Sequence, residues 1–236
     1  MMAGCLDGKA VKTEKLSYQG PFGVGYGICT YHVTGEDKGR RFLEQYTRKN
    51  SRDIQSRKDR EDSYVRLARK SLETFVRTGS VYVPSREETE ERPREMTGNR
   101  AGVFVSVHKE GMLRGCIGTI APVTGSVAEE ILRNAVRAGT EDPRFPPVGE
   151  EELEALVYSV DVLGVPEPVA SAAQLDAKTY GVIVTKGRKR GLLLPDLEGV
   201  DTVEDQIAIA RRKAGIGEED PVTLERFEVI RHGEKE

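Results

Sequence analysis

The chain has 236 residues, with 36 Lys or Arg against 39 Asp or Glu, for a net charge of -3. That balance excludes a global basic field of the kind that recruits nucleic acid. Three scattered cysteines exclude a disulfide framework and fit a reducing cytoplasm, and no apolar run reaches membrane-spanning length.

In chain order, Ile28-Cys29-Thr30-Tyr31-His32-Val33 reads as a strand behind the glycine run Gly23-Val24-Gly25-Tyr26-Gly27. That run is not G-x-G-x-x-G and opens a strand rather than a helix, so it is not a nucleotide loop. Residues 36–62 carry dense charge of both signs and read as an exposed helical linker. A helix is expected near 63–78, where Tyr64, Leu67, Ala68, Ser71, Leu72, Phe75 and Val76 form a stripe and Gly79 is the stop. Residues 85–100 read as a charged loop. A hairpin follows over 103–120, then a helix capped by Ser126 with Glu129 and ended by Gly139. Leu156–Leu163 reads as a central strand. Tyr180–Thr185 and Gly191–Leu194 read as a second hairpin, and Thr202 with Asp205 caps a helix to Ala214. Leu224–Ile230 is expected to be one final strand. No internal repeat is read.

The chemistry concentrates in Leu113-Arg114-Gly115-Cys116-Ile117-Gly118-Thr119. Val103, Val105 and Val107 share one face of the preceding strand, and Leu113, Ile117 and Thr119 share one face of this strand. Placing both apolar sets on the core side pairs 107 with 115 and 105 with 117. Ser106 then lies opposite Cys116, His108 opposite Arg114, and His108 diagonal to Cys116 at about 7 Å. The polar face would gather Ser106, His108, Arg114 and Cys116, with Phe104 beside them. A cysteine near a cation gains thiolate character, and a nearby His is a candidate base. The alternative is that Cys116 is a small apolar filler and that Gly115 and Gly118 admit another backbone.

Asp142-Pro143-Arg144-Phe145-Pro146-Pro147 is stiffened by three prolines, so it can hold Arg144 in a fixed direction for a carboxylate or phosphate. The alternative is a structural brace, in which Asp142 makes an Asx-turn and Arg144 pairs internally. The basic tip Lys186-Gly187-Arg188-Lys189-Arg190 is the one candidate nucleic-acid contact, but it has no aromatic platform and reads as a solvated tip. His32, His108 and His232 lie far apart, and their spacing gives no metal site.

Leu113–Thr119 resembles the signature of the AMMECR-type domain family. Glu141–Pro147, Tyr158–Leu163 with Pro166–Pro168, and Lys186–Pro195 match that family's pattern in order, over about 63–232. The resemblance implies an α+β fold with an antiparallel sheet, flanking helices and a smaller subdomain. It also implies association with a Memo-like protein and a radical-SAM protein, the AmmeMemoRadiSam system; it implies no settled activity or cofactor. Residues 1–35 resemble the end of a Memo-like, class III extradiol dioxygenase-like domain whose body and metal ligands are not in this chain. The organisation is therefore read as a remnant at 1–35, a linker at 36–62 and the main domain at 63–232.

Two functions compete. The first is an enzyme or enzyme subunit binding a small anionic substrate, with Cys116 and His108 as catalytic candidates. Its ligand-binding candidates are Arg114, Gly115, Gly118, Thr119, Asp142 and Arg144. The second is a non-catalytic interaction module, and a nucleic-acid accessory is the weaker third.

Overall fold

The computed structural model describes residues 2–20 and 25–233. Gly23 and Val24 of the glycine run lie outside the described residues. The chain divides into two compact units, Met1–Ser56 and Arg57–Glu236.

The first unit holds a short helix α1 (Met2–Cys5), an antiparallel hairpin of β1 (Lys9–Gln19) and β2 (Tyr26–Glu36), and the start of α2 (Phe42–Arg60). None of its residues with described burial is buried. A lone two-stranded hairpin without a core is at best marginal in water. The charged α2 also has no buried residue.

The second unit begins at α3 (Ser63–Thr78). Asp62 caps it by accepting from the Tyr64 and Val65 amides, and Gly79 ends it in the left-handed conformation at φ 70°. The stretch expected as a loop contains two short helices, α4 (Arg86–Glu90) and α5 (Arg94–Gly98). A capping box at Ser85 and Glu88 starts the first, and Pro93 opens the second. Their charged surfaces hid both from a reading based on apolar periodicity.

A four-stranded antiparallel sheet follows, in the order β10-β5-β3-β4. It comprises β3 (Val103–Lys109), β4 (Met112–Gly118), β5 (Leu156–Leu163) and β10 (Val229–His232). Helix α6 (Val127–Thr140) packs with α3 on one face, burying Val103, Val105, Val107, Tyr158 and Val160. The second sheet, β6-β9-β7-β8, comprises β6 (Glu167–Val169), β7 (Gly181–Lys186), β8 (Lys189–Leu193) and β9 (Thr223–Phe227). It carries α7 (Val203–Ala214) over Val182, Val184 and Leu193. The final strand is thus two strands in different sheets, because the chain crosses between them at Glu228.

The two lobes share one topology. Each runs hairpin, helix, then a strand that pairs with the hairpin's first strand. Each fourth strand is exchanged: β6, after β5, joins the second sheet, and β10, after β9, joins the first. The repeat is also written in sequence, as Gly111-Met112-Leu113-Arg114-Gly115 and Gly187-Arg188-Lys189-Arg190-Gly191. In both, the last glycine is where the helix touches the sheet. A Cβ on Gly115 would stand 2.0 Å from the Ala138 carbonyl oxygen, and one on Gly191 2.0 Å from that of Ala210. Four residues before each alanine, a buried amide ties helix to sheet. Asn134 donates to the Val103 carbonyl at 2.9 Å and Gln206 to that of Tyr180 at 2.9 Å. The reading of no internal repeat is corrected here: the shared residues are few and lie at close contacts.

The faces away from the helices meet in a third apolar cluster, with Phe104, Leu163 and Val229 from the first lobe and Ile183, Leu192 and Phe227 from the second. The second unit is therefore layered helix, sheet, sheet, helix. The inner face of the first sheet carries Ser106, Cys116 and Asp161 beside that cluster.

Candidate functional site

The β3–β4 register pairs Val107 with Gly115, Ser106 with Cys116 and Val105 with Ile117. It slips at the next step, so His108 lies opposite Leu113 rather than Arg114. The cause is turn geometry. Glu110 and Gly111 form the two-residue turn with φ of 53° and 76°, which leaves three residues of β4 before Gly115. The odd residue, Arg114, is absorbed as a bulge. Leu113 is thereby moved off the core face and is exposed.

The bulge sends Arg114 to the helix side of the sheet. Its guanidinium meets Glu152 (Nη2–Oε2 2.9 Å, Nε–Oε1 3.2 Å) and donates to the carbonyls of Pro146 at 2.9 Å and Pro147 at 3.4 Å. Lys109 shares Glu152 at 2.9 Å. The Arg114 guanidinium, with Lys109 and the Gly149 amide, pulls the Glu152 carboxyl down to about 2 against its own desolvation.

Asp142 is held at the other end of the same segment. Its Oδ2 accepts from the Cys116 amide at 2.9 Å and from Arg144 Nη2 at 2.7 Å, and its Oδ1 accepts from Arg144 Nε at 3.0 Å and the Arg144 amide at 3.1 Å. The Arg144 guanidinium beside it holds this carboxyl well below the usual range, outweighing burial. The last of those bonds is the Asx-turn of the brace reading, and Arg144 pairs internally as that reading requires. The prolines do not keep the whole segment extended: the Phe145 amide donates to the Asp142 carbonyl at 3.1 Å, which closes a turn. The two ends of the segment are thus fixed by adjacent parts of one strand, Arg114 and the Cys116 amide. Arg144 projects between them with its side chain 55% exposed. Its Nη1 makes no hydrogen bond among the described residues.

Cys116 is half-buried on the inner face. Burial pushes its thiol up; a hydrogen bond with Ser106 and the charge of Arg144 act the other way, and Asp161 and Asp142 add to the rise. Asp161 is itself engaged with Arg231, at 2.7 and 3.0 Å. His108, also half-buried, makes no side-chain hydrogen bond among the described residues, so it is not poised on Cys116. The thiol is therefore protonated at neutral pH.

The remaining predicted site residues serve the scaffold. Gly115 is buried against Ala138. Gly118 lies under the Phe104 ring, which a Cβ there would meet at 2.2 Å. The Thr119 hydroxyl donates to Glu130 Oε2 at 2.8 Å. Glu130 is fully buried and also accepts from the Val123 amide and from the Thr124 amide at 2.7 Å, clasping the loop after β4.

One member of the cluster was missed by the sequence reading. Lys213, in the last turn of α7, interacts electrostatically with both Cys116 and Arg144. Although exposed as a residue, its ammonium is lowered by partial desolvation; Cys116 opposes that shift and the like charge of Arg144 adds to it. No spacing signal links it to a motif about a hundred residues earlier. The basic tip has its own partners: Lys186 meets Asp220 at 2.6 Å, Lys189 the Gly215 carbonyl and Arg190 Glu225 at 3.0 Å. Among the described residues, no helix is long and apolar enough to cross a membrane.

These features define an α+β protein of two like lobes, one of which carries polar chemistry on its inner face. The AMMECR1 family pattern matches residues 65–232, and the chain belongs to that family. A Thermotoga maritima protein is 52% identical over 174 residues, covering 73% of this chain and 98% of that protein. A Clostridium acetobutylicum protein is 49% identical over 238 residues and covers 99% of this chain, which spans about half (49%) of that protein's length. The crystal structure of an uncharacterised Pyrococcus horikoshii protein matches with a TM-score of 0.64 at 32% identity, over 71% of this chain and 88% of that one.

Proposed function

We propose that this AMMECR1-family chain is an enzyme subunit that binds a small anionic substrate at Cys116 and Arg144. The observation that carries the reading is the Asp142-fixed guanidinium of Arg144, which keeps one edge open beside a half-buried thiol. A side chain held by two bonds to one carboxylate loses little freedom on binding, so an anion met there is bound by a preorganised group. Arg114 acts as a positioning residue, because it anchors the segment that carries Arg144. Cys116 enters as a neutral hydrogen-bond donor rather than as a resting thiolate.

The partners in this reading are a Memo-like protein and a radical-SAM protein of the AmmeMemoRadiSam type, in the cytoplasm. The hairpin of the first unit is then the end of a Memo-like domain. Two observations support that assignment. The hairpin has no core of its own, and a relative twice as long aligns across it.

The test is calorimetric titration of the full chain with small carboxylates and inorganic phosphate. Saturable binding that is lost in Arg144→Gln but kept in Arg188→Gln, at the basic tip, supports the reading. No saturable binding by any of these anions overturns it. The second reading, a non-catalytic interaction module, is favoured by the protonated thiol. It predicts partner capture unchanged in Arg144→Gln.

A further inference from the structure

A cavity of about 170 Å³ opens between α3 and the segment of α4. Ser63, Arg66 and Lys70 line it from α3, at the three- and four-residue steps that stack side chains along one helix face. Glu88, Glu91 and Arg92 line it from the other side.

Lys70 and Glu88 are committed to each other. Glu88 Oε1 accepts from Lys70 Nζ and from the Tyr82 hydroxyl at 2.7 Å, and Oε2 accepts from the Ser85 amide at 2.8 Å. That carboxylate is satisfied, and it ties α4 to α3. Asp62, just before Ser63, is engaged by the Tyr64 and Val65 amides and by His232 at 2.6 Å. The two guanidiniums have no carboxylate. Arg92 is half-buried, and its side chain makes no hydrogen bond or ion pair among the described residues. Arg66 donates from Nε to the Asp62 carbonyl at 3.4 Å, and its two Nη groups make no bond among the described residues. The Ser63 hydroxyl makes none there either.

A half-buried guanidinium that faces no anion has given up water without replacing it. The donor arrangement defines the group that would replace it. Ser63 and Arg66 stand on α3 and Arg92 stands across the cavity. Donors on opposite sides suit a tetrahedral group whose oxygens point several ways, whereas a planar carboxylate is met along one edge. Buried Leu67 also lines the cavity and offers an apolar surface to a short carbon stem. Glu91, exposed and without a side-chain partner among the described residues, is the one group there whose charge opposes such a ligand.

We propose that this cavity is a second anion site, and that it takes the phosphate group of a small monoester between Arg66 and Arg92, with the Ser63 hydroxyl as a third donor. Helix α3 packs on the helix side of the first sheet, whereas Cys116 lies on the inner face, so this site stands or falls apart from the reading at Arg144. A bound phosphate adds a second tie between α3 and α4, beside that of Lys70 with Glu88.

The experiment is titration of the full chain with glycerol 3-phosphate and, separately, sodium acetate. It is followed at the amide resonances of residues 85–92, which read this cavity apart from the site at Arg144. It uses the wild type, Arg66→Gln, Arg92→Gln, Glu91→Gln and Arg144→Gln, with each variant's fold checked by its remaining resonances. Glycerol 3-phosphate is expected to saturate and to bind at least about tenfold more tightly than acetate. Arg66→Gln and Arg92→Gln are each expected to weaken it at least about tenfold, the loss of a hydrogen bond to a charged group. Glu91→Gln is expected to tighten it about threefold by removing an exposed like charge. Arg144→Gln is expected to leave it within about twofold, as a distant site should. No saturable shift at residues 85–92, or wild-type affinity in both Arg66→Gln and Arg92→Gln, overturns the site. Acetate binding as tightly as glycerol 3-phosphate overturns the phosphate class. Loss of these shifts in Arg144→Gln overturns the separation of the two sites.

Discussion

The two lobes are built alike and used differently. Cys116 follows Gly115 on β4 and Leu192 follows Gly191 on β8, so the two residues hold the same topological place. Their cross-strand partners are Ser106 and Ile183. In the second lobe both positions are apolar and pack into the cluster between the sheets. In the first lobe both are polar and stand beside an arginine fixed from the neighbouring segment. One turn residue makes a further difference. The first hairpin has an extra residue before its glycine, which throws Arg114 to the helix side as a bulge. Arg190 has no bulge to displace it and stays on the inner face with Glu225, at 3.0 Å. The repeated scaffold thus supplies rigidity twice, and the polar departures from it mark where chemistry sits.

The glycine contacts give the largest expected effect. Gly115→Ala and Gly191→Ala each place a methyl group against a helix carbonyl, and each is expected to cost about 3 kcal/mol in denaturant unfolding. A large loss in one lobe with none in the other would break the structural equivalence. The matched inner-face residues come next. Leu192→Ala is expected to cost about 2–3 kcal/mol for a deleted core side chain, and Cys116→Ala about 1 kcal/mol or less. Equal losses would make Cys116 an ordinary packing residue.

An effect as small as that at Cys116 concerns Glu152, which the second lobe lacks. Its carboxyl is pulled from an ordinary 4.5 to about 2, chiefly by Arg114, so its stabilisation is complete above pH 4.5 and is lost as pH falls through about 2. Glu152→Gln is expected to destabilise by about 1 kcal/mol at neutral pH. The penalty should fade toward pH 2, as read from unfolding curves across that range. A penalty independent of pH would show that the Arg114–Glu152 pair is not its origin.

Much of the fold was legible where local chemistry decides it. The caps at Ser126 and Thr202, the stops at Gly79 and Gly215, and the Ser106–Cys116 pairing all follow from residues close in sequence. The α+β architecture with antiparallel sheets was legible too. What failed depended on counting one residue or on distance. The bulge at Arg114 needs the turn's φ values, and a single extra residue reversed the direction of that side chain. The break at Glu228 separates two strands that look continuous, because both remain apolar enough for a sheet. Lys213 was invisible because it lies on α7 of the other lobe, far along the chain from Cys116. In Asp142–Pro147 the prolines announced stiffness, but the anchors at Cys116 and Arg114 come from another strand.

The central claim is that the inner face of the first lobe holds a protonated thiol at an anion site, rather than an activated nucleophile. The direct measurement is the alkylation rate of Cys116 against pH in the native protein, with Cys5→Ser and Cys29→Ser in place. The account predicts slow reaction near pH 7 and a midpoint above the ordinary thiol value of 9.0, because burial outweighs the nearby cations. Fast reaction with a midpoint well below about 8 would contradict it and make Cys116 a thiolate nucleophile.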